Sequence, residues 1–226
     1  MKNKGLSQEA LKIIACLTML IDHIGATLVP SMALRLVGRM AFPIYCFLLA
    51  EGMAHTRDVK KYGLRLTIGA LLAEIPFDLA LFGGITWMHQ SVMVTLLLGF
   101  LMILWINRTE RGKLVPVIIF AVLAELLSAD YGCYGIMMIA LFVMSRDRKD
   151  RVGMQALVLA AICWFMGGAG WHFGDIYIPV QMCAVAAMVP IGFYSGRKAT
   201  SSRLVQWGFY LFYPVHLLVL WLIGIM

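Results

Sequence analysis

Residues 12–30 read KIIACLTMLIDHIGATLVP. Around it, an apolar run from about residue 9 to 29 has the length and composition of a membrane-spanning helix. Within that run Asp22 and His23 stand side by side. A charge near the middle of a bilayer costs a few kcal/mol, and intramembrane ionisable groups face protein or water and mark function by default. The stretch therefore decides two things together: a membrane fold, and a polar centre inside it.

The rest of the chain follows the same reading. Of 226 residues, 62% are hydrophobic and 14% charged, a balance that points away from a soluble domain. The expectation is an all-α polytopic membrane bundle, residues 1–226 forming one membrane domain. Nine helices are expected near 9–29, 36–54, 62–82, 89–106, 114–128, 131–145, 152–167, 176–193 and 204–223. The start, MKNKGLSQEALKIIACLTML, has the charged head of a signal peptide but no convincing small-x-small cleavage site, so the first helix reads as retained.

A net charge of +7 raises the possibility of nucleic-acid binding, but the cations sit in short loops between apolar runs. One set of alternate segments holds Lys2 and Lys4; Arg57, Lys60 and Lys61; Arg108, Arg111 and Lys113; Arg146, Arg148, Lys149 and Arg151; and Arg197, Lys198 and Arg203. The opposite set has Arg35 as its one loop cation. This bias places the N-terminus in the cytoplasm and the C-terminus outside. The five cysteines show no CxxC pair or His/Cys cluster, so neither a disulfide framework nor a zinc site is expected.

The ionisable residues within the spans concentrate in the first three. Asp22 and His23 lie on the first helix, Arg35 and Arg39 one turn apart on the second, and Glu74 and Asp78 one turn apart on the third. At ~1.5 Å per residue, Asp22, His23, Arg39, Glu74 and Asp78 fall within roughly 10 Å of depth. Neighbouring helices in sequence usually neighbour in space, so a shared polar pocket is expected. Two readings stand: an Arg–carboxylate network that only ties helices together, or a reactive centre. Adjacent helical residues diverge by ~100°, so Asp22 is expected to pair across helices and not with His23. Glu51 and His55 form an i,i+4 pair that shares a face, but no second pair matches its depth, and no metal is expected. His216 on the last helix is either a packing residue or a second wall of the cavity.

LKIIACLTMLIDHIG, RLVGRMAFPIYCFLLAEGMAHTR, AEIPFDL, DYGCYGIMMIALF and FYLFYPVHLLVLWLI, in that order, resemble the TraX family. That family is similar to the pilin N-acetyltransferase of conjugation systems and distantly to the membrane acyltransferases. In the wider superfamily an arginine precedes the catalytic histidine on the first helix; at the same spacing this chain has Lys12 and His23.

The resemblance implies a multi-pass protein of the bacterial inner membrane that takes an acetyl group from cytoplasmic acetyl-CoA. The acceptor would be an amine or hydroxyl, such as a pilin, a peptide N-terminus or another envelope-associated group. His23 would be the general base, oriented by Glu74 or Asp78, with Arg39 on the oxyanion and Asp22 in an orienting role. Arg35, Glu51, His55, Asp78 and His216 are candidate substrate contacts. Lys12, Arg57, Lys60, Lys61 and Arg65 are candidate contacts to the donor phosphates. A proton-coupled transporter and a non-catalytic membrane component of a conjugation or secretion apparatus are the competing readings.

Overall fold

A computed structural model describes residues 5–147, 150–197 and 202–225; Lys2, Lys4, Arg148, Lys149 and Lys198 lie outside them. The described chain is mostly helical: α1 Gln8–Thr27, α2 Met32–Gly38, α3 Ala41–His55, α4 Val59–Phe82, α5 Val92–Ile106, α6 Leu114–Leu126, α7 Gly132–Met144, α8 Arg151–Met166, α9 Met188–Gly192 and α10 Arg203–Gly224. Polar side chains start several helices. Ser7, Asp58 and Ser202 accept from the backbone N–H of Ala10, Lys61 and Val205, satisfying amides that a helix start leaves unpaired. The bond from Lys61 N–H also holds the Asp58 carboxyl below its usual value.

Two expected spans take other forms. The span near 36–54 is two helices, α2 and α3, separated at Arg39 and Met40. Pro43 explains the break. Its ring would clash with the carbonyl of Arg39 four residues earlier in a continuous helix; in the first turn of α3 its missing N–H costs nothing. The segment near 176–193 is not one α-helix. It begins as strand β2, Ile176–Pro179, paired antiparallel with β1, Gly170–Phe173, and continues as a 3-10 helix, Val180–Ala187, and α9. Glycines 167, 168, 170 and 174 precede it, and Pro179, with no N–H to give, closes the hairpin.

Three stretches are long and apolar enough to cross a membrane: Gln8–Thr27, the run Met32–His55 and Leu204–Gly224. The apolar helices α5 to α8 are shorter. Helix α4 is long but carries Lys60, Lys61, Arg65, Glu74 and Asp78.

Close glycine contacts fix how the helices run, as small residues do where membrane helices touch. Gly25 lies against Leu34, Gly38 against Asp22 and Cys16 against Tyr45, so α1 is antiparallel to α2 and α3. Gly63 meets Phe100 and Gly69 meets Met93, setting α4 against α5; Gly99 meets Ile139 and Gly135 meets Thr95, aligning α5 with α7. Lys12 lies over Phe209, His23 bonds His216, and Leu28 reaches Gly224, so α1 and α10 run parallel. A backbone clasp, with Leu6 N–H to Phe193 O at 2.8 Å and Ser195 N–H to Leu6 O at 3.0 Å, ties one end of the bundle. At the other end the loops cross-link through Gln90 N–H to Ser128 O and Asp130 N–H to Gln90 O. One apolar cluster runs from Leu11 in α1 to Leu217 in α10.

Candidate functional site

A cavity of about 510 Å³ opens at the end where those loops cross-link, lined by α1 to α5, α10 and the loop before α7. Asp22 enters it from α1 and is held by two arginines. Arg39 Nη2 reaches both carboxylate oxygens, at 2.8 and 2.9 Å, and Arg35 Nη1 donates at 2.9 Å. Gly38 makes this seat possible: any Cβ there would fall 2.1 Å from the Asp22 Cβ. The break between α2 and α3 puts Arg39 at a helix end, where its Nη1 keeps only a 3.5 Å contact to Gln181 Oε1. Among the described residues, this arginine, which lines the cavity, therefore retains N–H capacity.

His23 faces the same space with a different partner. Its Nδ1 lies 2.7 Å from His216 Nε2, the rings 15° from coplanar. His216 Nδ1 lies 2.6 Å from the Phe212 carbonyl oxygen. A carbonyl only accepts, so His216 carries its proton on Nδ1, and its neutral Nε2 accepts from His23 Nδ1–H. The same logic leaves His23 Nε2 as a lone pair. A backbone carbonyl on α10 thus sets the tautomer of a histidine on α1, through a second histidine.

The carboxylates expected to orient His23 bond elsewhere. Glu74 accepts from Ser91 Oγ at 2.6 Å and from Ser91 N–H at 3.2 Å, holding the start of α5. Asp78 is buried, accepts from Thr86 N–H at 2.8 Å, and has one oxygen without a hydrogen bond among the described residues. Depth in the sequence places both near His23, but their helix face turns them to the α4–α5 connection.

Glu51 and His55 lie about three and four turns along α3 from Arg39, well away from the cavity. Glu51 pairs with Arg146 Nε at 3.3 Å, and His55 Nδ1 bonds the Glu51 carbonyl at 2.9 Å. Of the donor-side cations, Lys12 lies over the Phe209 ring, and Arg65 over Tyr62 and Tyr210. Lys61 pairs with Asp58, while Arg57 and Lys60 are exposed. Lys12 also lines a second, slender cavity of about 120 Å³ that extends from Gln8 to Met19 along α1, between α3, α4, α5 and α10.

The structure adds residues to the site that the sequence does not single out. Asp130 and Tyr131, in the DYGCYG stretch, line the cavity opposite α1. Tyr131 stacks on Phe42 at 3.9 Å and adopts φ 64°, a left-handed conformation that costs energy for a side chain of its size and is tolerated where surroundings hold it. Gln181 reaches Arg39 from the 3-10 helix, and Tyr213 packs edge-on against both histidines. Among the described residues no group of three His, Cys, Asp or Glu is placed to hold a metal ion.

Comparison with known proteins gives this arrangement a family. The chain is 29% identical over 242 residues to the probable fimbrial assembly protein FimC, serogroup H1, of Dichelobacter nodosus, covering 97% of this chain and 96% of the relative. It is 22% identical over 161 residues to the protein TraX of Escherichia coli, covering 69% of this chain and 64% of the relative. No solved structure matches it. The family model described as TraX protein matches residues 7–224, and the chain belongs to the TraX family.

Proposed function

We propose that this protein is an integral-membrane acyltransferase of the bacterial inner membrane, multi-pass with its N-terminus in the cytoplasm. It transfers an acetyl group from acetyl-CoA to the amine of a pilin or other envelope-associated peptide. The observation that carries the reading is the His23–His216 pair, which leaves His23 Nε2 unprotonated at the wall of a polar cavity. The acceptor amine attacks the thioester carbonyl carbon while Nε2 takes its proton. Arg39 Nη1 faces the negative charge gathering on the carbonyl oxygen. The C–S bond then breaks as the C–N bond completes, and His23 returns the proton to the leaving thiolate. During the step His216 Nε2 accepts from His23 Nδ1–H and steadies the imidazolium.

The slender cavity suits the donor's arm, with Lys12 at its far end for a phosphate. The fimbrial assembly name of the Dichelobacter relative fits a pilin acceptor. The direct test is mass-detected acetylation of a synthetic pilin N-terminal peptide by purified protein and acetyl-CoA in detergent. His23→Ala lowers the rate by at least ~10²; an unchanged rate with a true acceptor refutes the assignment.

A non-catalytic component of a pilus apparatus is the second reading, favoured by how fully Arg35 and Arg39 neutralise Asp22. Under it, the paired change His23→Ala with His216→Ala leaves pilus assembly intact.

A further inference from the structure

The two cavities are adjacent. They share four lining residues, Met19, Tyr45, Val92 and Tyr213, one each from α1, α3, α5 and α10. These four helices encircle the junction, so the shared residues form a ring between the slender slot on the Lys12 side and the wide cavity on the Asp22 side. Two of its members, Met19 and Tyr213, are buried at 7% and 4% exposure, and Tyr45 and Val92 are half-buried. Three of the walls have a contact beyond the ring. Cys16 Sγ lies 3.2 Å from the Tyr45 hydroxyl, and the Tyr213 ring centroid lies 6.0 Å from that of His23. Val92 is the first residue of α5, next to the Ser91 that Glu74 grips. Glu74, which does not reach His23, therefore braces one wall of the junction.

We propose that Met19, Tyr45, Val92 and Tyr213 form an acyl-selective neck, which passes a slender uncharged acyl head from the slot to His23 and rejects branched or carboxylated ones. The inference rests on the transferase reading. The donor's arm lies in the slot, and its thioester must reach His23 beyond the ring, so whatever is transferred is threaded through it first. An unbranched acyl head is no wider than the arm that follows it, so its length alone is no bar. A methyl branch adds width at the tightest point, and one misfit methyl group against a packed wall changes selectivity by roughly 10–200-fold. A carboxylate meets a ring whose side chains carry no charge and whose two phenol hydroxyls are engaged, Tyr45 with Cys16 and Tyr213 with the Val92 backbone, and loses its hydration without a counter-charge. The same ring keeps the membrane tight, because an apolar constriction between two wet spaces sheds water.

The test uses the purified full chain in proteoliposomes, a peptide with a free N-terminal amine, and acetyl-, isobutyryl- and succinyl-CoA in turn. Two readouts run in parallel: product mass, and proton leak followed with an internal pH dye. In Val92→Ala and Met19→Ala the ratio of isobutyryl to acetyl transfer rises about tenfold or more, proton leak increases, and succinyl-CoA remains excluded. Val92→Phe narrows the ring and lowers acetyl transfer without raising leak, which keeps the test decisive if an alanine variant does not fold. An unchanged donor ratio in folded variants of both kinds overturns the neck. If wild type and variants transfer nothing from any donor, the transferase reading falls; unchanged leak would then remove the constriction as well.

Discussion

Replacing Gly38 with alanine tests the polar centre with the smallest change available. The added Cβ would fall 2.1 Å from the Asp22 Cβ and 2.3 Å from its Oδ1. Carbon–carbon contacts are comfortable from about 3.5 Å, so Asp22 must retreat by about 1.4 Å or α2 must tilt away. The three arginine contacts to Asp22 measure 2.8 to 2.9 Å. A retreat of that size takes them past the ~3.2 Å limit of a good N–H···O bond. Losing one partner of a fully buried ion pair costs about 3–5 kcal/mol, but Arg35 is 36% exposed and turns to water. Overpacking of about 1–3 kcal/mol is therefore the expected loss. Because His23 follows Asp22 on the same turn, a displacement near 1 Å also lowers transfer by about 10². Thermal unfolding in detergent and acetyl transfer measure the two effects separately. Gly153→Ala is the control, since it has no neighbour within 4 Å and exchanges glycine for a better helix former. If Gly38→Ala matches that control in both assays, the account of the Asp22 seat is wrong.

Other perturbations separate the roles of the remaining residues. His216→Ala frees the tautomer of His23 and lowers the maximal rate by about 10² with little change in acceptor KM, measured by steady-state kinetics. Asp130→Asn removes a cavity-lining carboxylate that can accept a hydrogen bond from the acceptor's neutral amine, and raises acceptor KM by about tenfold, the worth of one hydrogen bond to a charged group, with the maximal rate nearly kept. Glu74→Gln still accepts from Ser91, whereas Glu74→Ala frees the start of α5 and costs about 1–2 kcal/mol in thermal unfolding. Transfer falls as the medium is acidified, because the step needs the neutral form of His23; a rate that rises toward low pH would exclude the base role.

How much of this was legible from residues alone differs by feature. The apolar runs gave away the helices of α1 and α10, because their length has few other uses. The break at Arg39 was visible only in hindsight, as Pro43 marks a helix start as readily as a kink. The level shared by Asp22 and Arg39 followed from counting along antiparallel neighbours. The same count put Glu74 and Asp78 beside His23, and there it failed, because depth says nothing of which way a helix face turns. His216 was open to two readings, packing residue or cavity wall, and its bond to His23 depends on α10 lying parallel to α1, a contact across 193 positions that no local pattern announces. Asp130 was hidden in a connection whose backbone is irregular, and Gln181 in a stretch expected as an α-helix that folds as a 3-10 helix, where the 3.6-residue period does not tell which face a side chain takes.

The His23–His216 pair and the Asp22–Arg39 pair differ sharply in when they can form as the chain is made. Asp22 and Arg39 are 17 positions apart, so the acid meets its counter-charges within the first helical hairpin. Early neutralisation lowers the cost of bringing a charged helix into lipid. His23 waits for the last described helix. A chain stopped before α10 would bury its charges and pack much of its core, yet hold a histidine with no fixed tautomer and a cavity missing one wall. On the acyltransferase reading, biogenesis would then deliver stability first and reactivity last, leaving a half-made copy in the membrane inert.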